Sequence, residues 1–186
     1  MVLVTVLFWC LPVTGVVSTH VLVLLNPTTR EFVQLPEPNY YPETSNEESF
    51  ESTCSRNGVG YDSVTDDYKV ISLTYFHHDF HYHHDIDHEN SRTTTCYVYS
   101  LRSNTWGQLN IDSPYYFNNS PAVYVNGFLY WVAEKSDHDS WAIVAFSLAD
   151  ECFSEVPSPG SCNDREIMPN RKSKLFVLDG MLAIMM

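Results

Sequence analysis

One pattern constrains this chain more than any other: it repeats itself. Three segments align without gaps. They are LLNPTTREFVQLP from Leu24 to Pro36, VYSLRSNTWGQLN from Val98 to Asn110, and AFSLADECFSEVP from Ala145 to Pro157. Each opens on the end of a short apolar strand and passes through a polar turn: Pro27-Thr28-Thr29, Arg102-Ser103-Asn104 or Ala149-Asp150-Glu151. An aromatic follows at a fixed offset (Phe32, Trp106, Phe153), then an aliphatic (Leu35, Leu109, Val156). Asn, Asp, Ser and Pro supply the turn conformations. The aromatic starts the return strand and packs across the pair. Internal repetition of this kind marks an array of similar supersecondary units.

A second kind of hairpin lies between these. Asn126-Gly127 sits at the centre of YVNGFLYW, and Asp179-Gly180 at the centre of VLDGMLAI. Both predict type I′ turns, which need positive φ at two successive residues. A further pair spans Gly60 to Ile71, with a longer, more polar turn and the return strand YKVISLTYF. Alternation of the two kinds is how four-stranded propeller blades are wired. The expected fold is therefore all-β: a partial, kelch-like β-propeller of antiparallel hairpin blades forming an incomplete ring. Blade-like units run over about Asn57–Asn110 and Pro121–Pro157, with the tail of one unit before Pro36 and the start of another after Lys174. Polar stretches at 37–56 and 158–171 read as exposed loops. The chain stops inside its last unit at Met186, which reads as a truncated product with an unpaired edge.

Residues 1–25 carry no charged side chain. A secretory signal needs a basic n-region, which is missing here. Pro12, Gly15, Thr14, Ser18, Thr19 and His20 interrupt a membrane span. Residues 1–23 are thus expected to form buried strands around a Pro-Gly turn, with residues 24–186 as the propeller-like domain. The net charge of −13 opposes binding to phosphate backbones and favours a basic protein partner. Five cysteines without a CxxC pair argue for reduced thiols and against a zinc site.

The ordered pieces resemble the plant F-box-associated domain, including its S-locus F-box relatives. LLNPTTREFVQLP is similar to that family's NP-x-T-R-x-F-x-x-L-P opening. GVGYDSVTDDYKVI, YVYSLRSNTW, VYVNGFLYWVA and IVAFSLADECFSEVP resemble its following segments, in order, over Leu24 to Pro157. The resemblance implies the substrate-recognition arm of an SCF-type E3 ubiquitin ligase, non-catalytic, binding a target protein in the cytoplasm or nucleus. It implies a Skp-type adaptor and cullin as partners only where an F-box is present. No helical F-box precedes Leu24 in this sequence, so the chain alone is not expected to dock to the ligase.

Local chemistry adds little to this. Six of eight histidines fall between His77 and His88. His77, His78, His81, His83, His84 and His88 are competent metal ligands, but the segment reads as a solvated hairpin tip between YKVISLTYF and TTTCYVYSL. Nucleophile elbows, phosphate loops and zinc-protease motifs are absent from the sequence. Gly58-Val59-Gly60 reads as a strand entry, and Asp66-Asp67 and Asp137-His138-Asp139 as turns. No cofactor, nucleic acid or membrane is implied. Aromatics on loops are typical protein-binding anchors, which makes Tyr40, Tyr41, Tyr115, Tyr116, Phe117 and Trp141 the candidate contacts. Phe117 and its neighbours have packing beneath the loop as their alternative role, and Trp131 and Trp141 have packing between sheets. A second reading of the whole chain is a secreted kelch-like binding or carbohydrate-active domain. That reading predicts a cleaved N-terminus and a glycan at Asn118.

Overall fold

The computed structural model describes residues 5–10, 20–38, 50–78, 93–109, 115–117, 121–135, 140–157, 169–170 and 172–185. Every regular element among them is a β-strand. None is a helix long and apolar enough to cross a membrane.

The first sheet holds β1 (Thr5–Cys10), β2 (His20–Asn26) and β3 (Glu31–Gln34), in the order β1-β2-β3. The second holds β4 (Phe50–Asp62), β5 (Asp67–His78), β6 (Thr93–Ser100) and β7 (Thr105–Leu109), paired in sequence order. In the third, β8 (Tyr115–Phe117) and β9 (Val123–Val125) both pair with β10 (Phe128–Lys135). The sheet continues through β11 (Trp141–Ser147) to β12 (Cys152–Val156). The fourth is a hairpin of β13 (Lys174–Leu178) and β14 (Met181–Met185). All pairings are antiparallel, and the sheets do not close on one another. The full blades begin at Phe50 and Tyr115, seven and six residues earlier than the spacing of the repeats predicts.

The sheets stack face to face because alternate residues of each strand point to opposite sides. Ile71, Leu73, Cys96 and Val98 of the second sheet meet Leu129, Trp131, Val144 and Phe146 of the third. On the other face of the second sheet, Val70 and Tyr99 pack with Leu22, Leu24 and Leu35. A sheet buried on both sides needs apolar residues at both parities. This explains why YKVISLTYF lacks the strict polar alternation of a half-exposed strand. Each such side chain, fully buried, contributes roughly 1.5–3 kcal/mol.

Close approach of the second and third sheets depends on two glycines in β4. A Cβ on Gly58 would stand 2.6 Å from the Ala122 Cβ, and one on Gly60 would stand 2.5 Å from Tyr124 Cδ2 and 2.6 Å from Leu148 Cδ1. GVG is therefore a packing seam rather than a strand entry alone.

The turns explain the repeat. Asn126-Gly127 and Asp179-Gly180 have positive φ at both positions, as type I′ turns require. Four other hairpins share one different turn, with four residues between the paired ends: Asn26/Glu31, Asp62/Asp67, Ser100/Thr105 and Ser147/Cys152. Its last residue is left-handed in each case: Arg30, Asp66, Asn104 and Glu151. The residue just before the turn is polar and accepts a backbone N–H from inside it. Asn26 Oδ1 accepts from Thr28 at 3.0 Å, Asp62 Oδ1 from Val64 at 2.9 Å, and Ser100 Oγ and Ser147 Oγ each at 3.2 Å. The turn at Asp62, longer than the two-residue Asn-Gly and Asp-Gly turns as expected, is a fourth copy of the same device. Cross-strand aromatic pairs close three of these hairpins: Tyr61–Tyr68, Tyr99–Trp106 and Phe146–Phe153, with centroids 5.2, 5.1 and 4.7 Å apart.

Candidate functional site

Two edges of the stacked second and third sheets differ sharply. At one edge lie the short turns after β4, β6, β9 and β11. At the other lie the ends of β5, β6, β10 and β11 that bear His78, Thr93, Lys135 and Trp141, together with Tyr115 of β8. The two sheets share this polarity because the turns of one touch the turns of the other.

The short-turn edge is a network of satisfied polar groups. Lys69, buried at the start of β5, donates to Leu148 O at 2.7 Å and to Glu151 Oε1 at 2.8 Å, both in the third sheet. Its ammonium also lies 3.1 Å from Asp62 Oδ2, whose side chain is 1% exposed. Burial pulls the Lys69 pKa down, but hydrogen bonds to Glu151 and Asp62 outweigh it and leave the value raised. Burial pushes Asp62 up, yet hydrogen bonds from Thr65, Val64 and Lys69 hold it below the ordinary carboxylate value. Asp67 accepts from Ser100 Oγ at 2.5 Å and from the Arg102 N–H at 3.0 Å. Asp66 accepts from the Tyr61 hydroxyl and from Arg102 Nη2, and that hydrogen bond raises the Tyr61 pKa. Tyr124 ties the sheets again by donating to Tyr61 O at 2.9 Å. The carboxylates of these turns are thus engaged in holding the turns. This lysine clasp escaped the reading of the sequence. Its signal was a lone lysine at the start of an otherwise uncharged run, KVISLTYF.

The opposite edge carries Trp141, Tyr115 and Tyr116 of the predicted contact aromatics. Trp141 opens β11, half-buried, opposite Glu134. Tyr116 and Tyr115 pair with Glu134 and Lys135. Tyr115 donates to Glu155 Oε2 at 3.1 Å, and Lys135 Nζ lies 2.9 Å from Glu155 Oε1. Burial, and then the bond to Glu155, raises the Tyr115 pKa. The backbone closes this end through Lys135 N–H to Ser140 O at 2.9 Å.

Several expectations change here. Tyr115-Tyr116-Phe117 is not a loop tip but strand β8, and Phe117 is a core residue. Its ring lies 5.6 Å from Trp131 and 5.8 Å from Phe153. Three successive aromatics favour a pleated, half-buried surface, and β10 offers a vacant edge beyond β9. Trp131 is buried in the same cluster, as a packing residue. His77 and His78 end strand β5 rather than lying in a loop. Tyr40, Tyr41, His81, His83, His84 and His88 lie outside the described residues, as does the Asp137-His138-Asp139 turn. Among the described residues no three His, Cys, Asp or Glu side chains converge on a metal position. Cys96 and Cys152 are free thiols, and burial pushes Cys96 up to about 12.

These features meet in a comparison with known proteins. The model of the F-box associated beta propeller domain matches residues 4–186. The chain belongs to that family. It is similar to a putative F-box protein of Arabidopsis thaliana, at 27% identity over 144 residues, 76% of this chain and 33% of the relative. An F-box/kelch-repeat protein of the same plant is 30% identical over 157 residues, 80% of this chain and 38% of the relative. The F-box protein CPR1 is 29% identical over 182 residues, 88% of this chain and 41% of the relative. The chain spans about a third of the length of the curated relatives it matches. No solved structure matches it. Membership accords with the all-β stack of antiparallel blades.

Proposed function

We propose that this chain is the substrate-recognition domain of an SCF-type E3 ubiquitin ligase. It is non-catalytic and holds a target protein. A Skp-type adaptor and cullin are partners of any F-box in the full protein. The observation that carries the reading is the family match over residues 4–186, beside relatives that are F-box proteins. The edge opposite the short turns is the favoured contact surface. Trp141 and Tyr116 stand there near strand ends, each half-buried, and aromatics are enriched among the anchors of protein interfaces. A net charge of −13 suits a target with a basic surface. The free thiols of Cys96 and Cys152 accord with a reducing compartment, the cytoplasm or nucleus.

The test joins the chain to an F-box module and expresses the fusion in plant cells. Expected is a defined set of proteins that bind the chain, gain ubiquitin and decline, with proteasome inhibition restoring them. W141A combined with Y116A, checked to remain folded, abolishes the effect. A fusion that ubiquitinates nothing beyond what the F-box module alone does overturns the reading.

A further inference from the structure

The two ends of the stack present faces that its middle keeps buried. In the second and third sheets, the aromatic near the start of the last strand turns toward the preceding sheet. Trp106 packs against the cluster joining the first and second sheets, and Phe153 against the cluster joining the second and third. Phe32 holds the same place in the first sheet. Leu25 opposes it as Tyr99 opposes Trp106 and Phe146 opposes Phe153. Residues opposed in this way share a face. Phe32 is nevertheless 73% exposed, beside half-buried Val23 and Leu25. At the other end, β13 and β14 lie against β9 and β10. Leu175, Leu182 and Ile184 are half-buried on one face of that hairpin, and Phe176, Leu178, Met181 and Met185 are exposed on the other. The matching Asp-Gly and Asn-Gly turns put Met181 where Phe128 stands in β10, on the side turned away from the second sheet. Among the described residues no sheet covers either end face.

We propose that a second copy of this chain covers both faces, the fourth sheet of each copy stacking on the first sheet of the other about one two-fold axis. The contact continues the packing already present inside the chain: an aromatic near the start of a last strand against the apolar face of the sheet before it. A head-to-tail contact closes when its rotations complete a ring. Four sheets from each copy make eight, within the range of about 4–8 blades found in propellers. Because the contact occurs twice, each need bury only about 600–1,000 Å² to reach the roughly 1,200–2,000 Å² of a stable interface. Lys174 is the one charged residue at the described strand positions of these faces. The charge of −13 on each chain is thus kept off the contact, and salt at physiological strength screens it beyond about 8 Å. Both edges that bear Trp141 and Tyr116 then lie on the same side of the ring.

Sedimentation velocity of the purified 186-residue chain over a concentration series tests this. Expected is one association step, from the 21.4 kDa chain to twice that mass. Phe32 and Met181 are exposed within one copy, so F32E and M181K should fold as the wild type does, which thermal melting checks. Each alone should weaken association at least ~10-fold. Mixed in equal amounts, the two variants should associate again, because the intact fourth sheet of F32E meets the intact first sheet of M181K. A monomer throughout the series overturns the proposal and leaves the two faces to sheets of another polypeptide. A dimer that F32E does not weaken overturns it in favour of a symmetric contact between fourth sheets. A ladder of larger species shows head-to-tail growth without closure and overturns the ring.

Discussion

Replacing Lys69 with Met should cost about 3–5 kcal/mol of stability, because it strands a buried carboxylate. Met preserves most of the apolar stem and removes only the ammonium. Asp62, 1% exposed, then keeps its bonds from Val64 and Thr65 but loses its counter-charge, while Leu148 O loses its donor. Glu151 suffers little, since its side chain is 37% exposed. E151Q alone should therefore cost no more than about 1 kcal/mol. With a urea slope of about 2 kcal/mol per molar, K69M should lower the unfolding midpoint by about 2 M. Adding D62N to K69M removes the stranded charge and should recover about 1–3 kcal/mol. The pH dependence has a definite sign. Asp62 has a lowered value, so its contribution is complete above the ordinary carboxylate pKa and fades as pH falls through its own lower one. Lys69 has a raised value, so its contribution is complete below the ordinary lysine pKa and fades as pH climbs through the higher one. The gap between wild type and K69M should be flat from about pH 5 to about pH 9. Urea titrations at three pH values provide the measurement. A K69M midpoint within about 0.5 M of wild type at neutral pH refutes the clasp.

Other substitutions report on other parts of the stack. Phe117→Ala should cost about 3–5 kcal/mol by thermal melting, as expected of a core residue and not of a loop tip. Gly60→Ala should cost about 1–3 kcal/mol, because Tyr124 and Leu148 must both give way. In native protein, maleimide at neutral pH should modify exposed Cys152 quickly and spare Cys96 until urea unfolds the chain.

The hairpins were legible because their turns impose residue types locally. Asn-Gly and Asp-Gly are nearly forced where φ is positive twice. Polar residues at Asn26, Ser100 and Ser147, with an aromatic six positions on, mark the four-residue turns. Tyr68 stands at the same offset from Asp62, but the acidic run around it disguised the match. That Tyr115–Phe117 is a strand was not legible, because three residues between Pro114 and Asn118 have no periodicity to measure; packing of these aromatics stood only as an alternative. Nor was the Lys69 clasp, whose partners Glu151 and Leu148 lie some eighty residues away. Long-range pairing of this kind depends on how two sheets stack, which local spacing does not encode. Family membership was legible for the opposite reason: five ordered motifs each record a turn or strand that the stack requires.

The separation of short turns from the remaining strand ends governs how such a chain can diversify. The ends of β5 and β6, and of β10 and β11, lie at the edge opposite the Lys69 bonds to Leu148 O and Glu151, so residues added there would leave those bonds in place. Doubling such a loop costs only about 0.6 kcal/mol in closure entropy. A single residue inserted between Asp62 and Asp67 would displace the cap, the left-handed residue and the register of Lys69 together. One edge of the stack is therefore open to rewriting in length and composition, while the other holds the blades in register.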